Sequence, residues 1–264
     1  MITHWSCAAE CSYQCMWSIT TQRQAEGAVV RQYHGKWPFR RYFGFQEPAG
    51  ALFSALNAAA HASGLRSCWT LTGTARGGWV WRATALLQIN AWIWATIFHC
   101  RDVFWTQCAD YFSATLLIGG SALVATWHLL DECRGALPRR WMAALSLLAA
   151  MLYCAHVRRM LRFFDYGEHM RLNLVVGGVH LALWATWWRL TRSERPHAWR
   201  APAILATVPA LLVLELRDTS PVWDALDGHA MWHAGTVGPA IAFWRAFVTV
   251  ELRWRVQRER AHRA

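Results

Sequence analysis

The sequence predicts an all-α, polytopic membrane protein: seven transmembrane helices behind a short Cys-bearing lumenal N-terminal segment. Three observations carry this. Of 264 residues, 55% are hydrophobic and 19 are Trp, yet the mean hydropathy is only +0.12. The apolar residues are gathered into long runs divided by short Arg-rich links, as in a chain that crosses a bilayer repeatedly. Most of the runs approach the ~20 residues that span ~30 Å of hydrocarbon. The net charge of +11 comes almost wholly from Arg placed between the runs rather than on one face. That distribution suits membrane orientation and excludes a nucleic-acid partner.

Residues 1–48 form the N-terminal segment, lumenal and interfacial. Met1–Cys15 lacks the apolar core of a signal peptide. Cys7, Cys11 and Cys15 recur every four residues, a spacing that would stack three thiols on one helix face. In an oxidising lumen disulfides are expected there, in preference to a Cys-type zinc site. Gly35–Pro48, GKWPFRRYFGFQEP, mixes aromatic and basic side chains in the manner of a membrane interface. The seven apolar segments fall near 49–65, 79–98, 113–130, 141–157, 171–190, 201–217 and 229–250, one transmembrane domain over 49–250. The first is short and rich in Ala and Ser. Arg82 lies near an end of the second, where it can snorkel. Residues 251–264 make a basic cytosolic tail, and the links are too short to hold a further domain.

Orientation follows from the Arg. Three clusters fall on one side if there are seven spans: Arg134, Arg139 and Arg140; Arg189, Arg192, Arg195 and Arg200; and the five Arg of the tail. That side is expected to be cytosolic. Arg158, Arg159, Arg162 and Arg171 oppose this assignment but are outnumbered. The N-terminus is then lumenal, and so is the acidic 215–228 link with Glu215, Asp218, Asp224 and Asp227.

On that topology four residues of chemical interest share the lumenal side. His99 ends the second segment, Asp110 begins the third, and His229 and His233 open the seventh within DGHAMWH. Four residues is one helical turn, so His229 and His233 face the same way. Alternating helix direction did not oblige the four to meet. Three imidazoles with an open fourth position are a catalytic zinc arrangement, in which a bound water loses its proton near pH ~7. Asp110 is placed to orient that water or accept its proton. The chemistry expected is hydrolysis of a lipid ester or amide at a site open to the bilayer. His4, His34, His61, His128, His156, His169, His180, His197 and His262 lack such company and read as structural or solvated.

At these residues the chain resembles the post-GPI-attachment-to-proteins factor 3 family, the Per1-like proteins. The resemblance runs through WSCAAECSYQCMW (5–17), QYHGKWPFRRYFGFQEPAGALFSALN (32–57), NAWIWATIFHCRD (90–102), DYFSA (110–114), RFFDYGEHMRLN (162–173), LELRD (214–218) and DGHAMWH (227–233). It implies a multipass protein of the Golgi or endoplasmic reticulum membrane that acts on GPI-anchored proteins and their lipid. The implied reaction is removal of the unsaturated sn-2 acyl chain from the GPI inositol phospholipid, a phospholipase A2-type hydrolysis. The family is similar to a wider group of seven-helix zinc hydrolases that includes the alkaline ceramidases. Carried over, the metal ligands are His99, His229 and His233, and the catalytic acid is Asp110.

Two departures stand out. The wider group places a Ser four residues before the first His, and here that position is Ala95. Ala has no hydroxyl, and loss of one oxyanion donor costs about 10²–10³ in rate. Thr96 is turned by roughly 100° on a helix. Family members also carry a signal peptide and further Cys-bearing sequence before the WSC piece, where here Met1 stands. Alternatives to the hydrolase are a non-catalytic relative that binds or chaperones GPI-anchored proteins, and a ceramidase-type lipid amidase.

Overall fold

The computed structural model describes residues 3–75, 77–134 and 139–261. Residues 135–138 of one Arg-rich link, and His262, lie outside them. The described residues form α-helices, joined by turns and three isolated β-bridges. In order they are α1 (Cys7–Ala25), α2 (Pro48–Thr74), α3 (Gly78–Cys100), α4 (Phe104–Arg134), α5 (Arg139–Arg162), α6 (Tyr166–Thr191), α7 (Arg200–Leu216), α8 (Gly228–Ala242) and α9 (Thr249–Ala261). A π-helical turn, Phe243–Val248, links the last two.

Local sequence explains the starts. Ser6 Oγ accepts from the Ala9 amide, Asp165 Oδ1 from Glu168 and Asp227 Oδ1 from Ala230, capping α1, α6 and α8. Pro48 opens α2, where its missing amide costs nothing. Gly77, at φ +70°, turns the chain from α2 into α3 in a left-handed conformation that Gly adopts without strain.

Each of the seven apolar segments lies within one helical stretch, but the bounds differ. The Ala/Ser-rich first segment belongs to a helix of 27 residues, α2. Its small residues permit close packing: a Cβ on Gly64 would stand 2.1 Å from Trp244 Cγ. The tail is not a separate appendage. α9 continues from the π turn, and Glu251 is buried among His197 Nε2 (2.8 Å), Arg255 Nε (2.6 Å) and Arg195 Nε (3.5 Å). Burial pushes the Glu251 carboxyl up, but the His197 hydrogen bond and the two Arg charges outweigh it and hold it down at about 2. The acid that begins the tail thus anchors it.

The polar N-terminal segment also holds more structure than its composition suggests, since 7–25 is helical. Cys7, Cys11 and Cys15 are exposed free thiols on α1, not the expected disulfides. Neighbours four apart on a helix keep their Cβ atoms ≈ 5–6 Å apart, whereas a disulfide needs ≈ 3.5–4.5 Å.

α2, α3, α4, α6, α7 and α8 pack in succession and close a ring, α8 returning to α2. α5 stands outside against α4 and exposes Trp141, Leu147, Leu148, Met151 and Leu152. Two stretches, Phe104–Asp131 and Arg140–Arg162, are long and apolar enough to cross a membrane. Trp81, Trp184, Trp187, Trp244 and Phe247 fill one end of the ring. His99 lies eighteen residues beyond Trp81 on α3, which at 1.5 Å per residue sets it ~27 Å away, at the other end. Arg82 does not reach outward for water alone: it donates to Thr72 Oγ1 (2.8 Å) and the Trp69 carbonyl (3.1 Å), its guanidinium over the Trp69 ring.

Candidate metal centre

The C-terminal end of α3, the N-terminal end of α8 and the start of α2 meet at one point. α3 delivers His99 from its last turn, and α8 delivers His229 and His233 from its first two turns. The ligand-capable nitrogens of the three rings lie within 4.8 Å of one another. His233 Nε2 is 3.3 Å from His99 Nε2 and 2.8 Å from His229 Nε2. His99 and His233 are buried, and His229 is partly open.

The opposite face of each ring is held by an oxygen. His99 Nδ1 donates to Glu47 Oε2 at 2.6 Å. His229 Nδ1 faces Glu215 Oε1 at 3.4 Å, and His233 Nδ1 faces Ser54 Oγ at 3.3 Å. A carboxylate accepts the Nδ1 proton and so leaves the Nε2 lone pair free. Lone pairs from separate rings aimed at one spot repel each other unless a cation sits among them. The donor set therefore fits a metal that takes imidazole nitrogen.

Glu47 is the centre of the support. Its backbone amide also donates to the His99 carbonyl at 2.9 Å, and its Oε1 accepts from Lys36 Nζ at 2.6 Å. Lys36 in turn reaches Asp102 Oδ2 at 2.5 Å, just past His99. Burial alone would push the Glu47 carboxyl up and the Lys36 ammonium down. Their mutual attraction wins, with the His99 hydrogen bond adding to it: Glu47 lies well below the usual carboxylate range and Lys36 above the usual ammonium range. Gly50 lets α2 come this close, because a Cβ there would stand 2.8 Å from His99 Nδ1. Gly228 does the same for α8, where a Cβ would fall 2.1 Å from the Leu214 carbonyl oxygen.

Asp110, in the second turn of α4, lies within electrostatic reach of His99, His229, Glu47 and Lys36. Its carboxylate is not part of the cluster of converging ligand atoms. Ala95 is buried one turn before His99, and the neighbouring Thr96 hydroxyl donates to the Trp92 carbonyl of its own helix at 2.7 Å. The acidic link divides its labour. Glu215 meets His229, Asp224 pairs with Arg40 (3.6 Å), and Asp227 caps α8. Asp218 accepts from Gln32 Nε2 (3.0 Å) and Trp37 Nε1 (2.8 Å). Sequence reasoning missed Glu47, Ser54 and Glu215 as partners of the histidines. The Q-E-P run ahead of a helix was the one local signal for Glu47; no short-range spacing marks the other two.

Fold and site together define an all-helical bundle with a three-imidazole, metal-fitting cluster at one end. The chain belongs to the Per1-like family, whose model matches residues 1–251. It is 36% identical over 251 residues to "GPI-specific phospholipase A2-like PGAP3" of Danio rerio, covering 92% of this chain and 76% of that one. The Homo sapiens protein of the same description is 33% identical over 245 residues, covering 91% and 74%. "Post-GPI attachment to proteins factor 3" of Drosophila melanogaster is 33% identical over 251 residues, covering 91% and 73%. The names of these relatives describe those proteins as phospholipase A2-like and GPI-specific, or as a factor acting after GPI attachment to proteins. No solved structure matches the chain.

Proposed function

We propose that this protein hydrolyses the sn-2 acyl ester of the GPI inositol phospholipid, with zinc held by His99, His229 and His233. The observation that carries the reading is the shared focus of three Nε2 atoms, each ring backed at Nδ1 by Glu47, Glu215 or Ser54. Bound there, zinc would polarise the ester carbonyl and bring the acidity of a water into the neutral range. The residues do the remainder. Glu47, fixed by Lys36, keeps His99 in the tautomer that presents Nε2. Asp110 accepts the proton of the attacking water and returns it to the leaving alcohol. Because His99 and His233 are buried and His229 is partly open, the substrate approaches from the His229 side.

In this reading the helices from α2 to α8 cross the membrane seven times over residues 49–250. Residues 1–48 and the metal centre lie on the lumenal side of the Golgi or endoplasmic reticulum membrane, and 251–264 lie in the cytosol. Exposed apolar side chains on α5, and Trp79, Leu86 and Ile93 along α3, support lipid contact.

A second reading has its own observation. Ala95 supplies no hydroxyl and Thr96 spends its own on α3, so the cluster can bind metal in a protein that holds GPI-anchored cargo without turnover. Purified protein in detergent, incubated with GPI lipid, separates the two. The hydrolase reading expects zinc in the protein and acyl release that chelation abolishes and zinc restores. Active metal-free protein overturns it. Zinc without release, and with no gain on Ala95→Ser, establishes the second reading.

A further inference from the structure

Two surface turns at the metal end of the bundle carry aromatic residues at their tips. A β-bridge between Tyr42 and Phe45 closes one, and a bridge between Val222 and Leu226 closes the other. Within them Phe43 (φ +55°) and Trp223 (φ +54°) take the left-handed conformation. That is strained for a bulky side chain, and Gly, Asn or Asp is what such a turn favours. Packing does not compensate, since Phe43 is 93% exposed and Trp223 81%. A strained backbone that presents a bare ring points to a contact made outside the chain.

The turns are far apart in sequence but pinned to each other. The Arg40 amide donates to the Asp224 carbonyl at 2.7 Å, and the Arg40 guanidinium pairs with the Asp224 carboxylate at 3.6 Å. Both turns belong to the rim of one cavity, of about 1190 Å³, that reaches His229. Phe43 lies between the lining residues Arg41 and Gln46, and Trp223 between Thr219 and Asp227. Their surroundings identify the partner. The links at the same end of the bundle expose Phe104 and Trp105 at the start of α4 and Phe163 just past α5. The opposite end exposes Trp69, Trp79, Trp141 and Trp199. Trp141 and Phe163 bracket α5 and lie twenty-two residues apart, ~33 Å at 1.5 Å per residue. That matches the ~30 Å hydrocarbon core of a bilayer, at whose two surfaces aromatic rings collect. The two tips sit at the level of the first set. Glu47, four residues past Phe43, precedes α2, and Asp227, four past Trp223, caps α8.

We propose, on the membrane-spanning reading above, that Phe43 and Trp223 form a two-point anchor that seats the cavity rim on the lumenal lipid surface. The rings enter the headgroup layer, and the bridged turns hold them at a fixed spacing. The N-terminal segment and the α7–α8 loop then keep their places over the imidazoles through the bilayer as well as through Arg40 and Asp224.

The test needs neither zinc nor turnover, so the fate of the hydrolase reading does not decide it. Full-length protein carrying the photoreactive p-benzoylphenylalanine in place of Phe43, Trp223 or, as a lipid-facing reference on α5, Leu148 is reconstituted in phosphatidylcholine nanodiscs, illuminated and read by mass spectrometry. Lipid adducts are expected at all three positions. Adducts at Leu148 without adducts at 43 and 223 overturn the anchor and leave the membrane-spanning reading standing. Adducts at none of the three defeat both. Labelling at only one of the two tips also overturns the proposal, and so do adducts to another polypeptide in place of lipid when the same proteins are illuminated in cell membranes. A second measurement uses the double variant Phe43→Gly, Trp223→Gly. Gly takes a positive φ without strain, so the melting temperature in detergent should hold or rise. Amide exchange over 42–45 and 222–226 in nanodiscs should nevertheless be faster than in wild type. A lower melting temperature would assign the rings to the packing of the fold and contradict the anchor, as would unchanged exchange.

Discussion

Glu47→Gln is the most informative single change, because it keeps shape and removes charge at the point where the N-terminal segment grips the centre. In the wild type one carboxylate serves His99 Nδ1 at 2.6 Å and Lys36 Nζ at 2.6 Å. Gln can still accept one proton through its carbonyl, but its NH₂ then faces the other donor. Either His99 loses its acceptor or Lys36 does. If His99 loses it, the ring is free to rotate or to change tautomer, and the Nε2 lone pair no longer points steadily at the centre. Loss of such a supporting partner costs 10–100-fold in metal affinity, about 1.4–2.7 kcal/mol. A charged hydrogen bond contributes about 1.5–3 kcal/mol, the same range. Lys36 keeps Asp102 at 2.5 Å, so the fold should survive. The assay is chelator competition on purified protein, with retained zinc measured by elemental analysis. Zinc in Glu47→Gln should be lost at 10–100-fold lower chelator. Unaltered retention, in a variant with native helical content, would refute the role assigned to Glu47.

Three further outcomes follow from the same geometry. Gly50→Ala pushes a methyl to 2.8 Å from His99 Nδ1 and should lower zinc retention at least as much as Glu47→Gln; normal zinc content would show that α2 yields more easily than its packing implies. Gly64→Ala sets a Cβ 2.1 Å from Trp244 at the far end of the bundle, and should cost about 1–3 kcal/mol in thermal unfolding while zinc stays bound. Glu251 titrates at about 2 in the fold against an ordinary 4.5, so its contribution is complete above about pH 4.5 and fades as pH falls toward 2. Between pH 5 and 3 the melting temperature should drop less steeply in Glu251→Gln than in wild type, and parallel slopes would contradict the buried anchor.

How much of this was legible beforehand depends on range. The HxxxH of α8 is a local pattern, and one helical turn suffices to place His229 beside His233. His99 joined them through a longer inference, that apolar segments alternate direction, and the rings do meet. Glu47 could not be found that way. It lies 52 residues from His99, and its pairing depends on how the 35–47 loop folds back over α3. Ser54 and His233 are 179 residues apart and meet through the closing of the helix ring by α2 and α8. The Cys repeat misled because identical spacing fits a helix face and a disulfide framework, and only the helix geometry separates them. The packing of the tail was not legible either: its five Arg mark a basic segment, and nothing in their spacing shows that Arg255 donates to Glu251 at 2.6 Å inside the bundle.

The most direct test of the central claim is mass spectrometry of GPI lipids from cells lacking their own remodelling enzyme, expressing this protein or its His233→Ala variant at equal membrane levels. The account predicts loss of the unsaturated sn-2 chain with the wild type and its full retention with His233→Ala. An sn-2 chain removed equally well by both would contradict it.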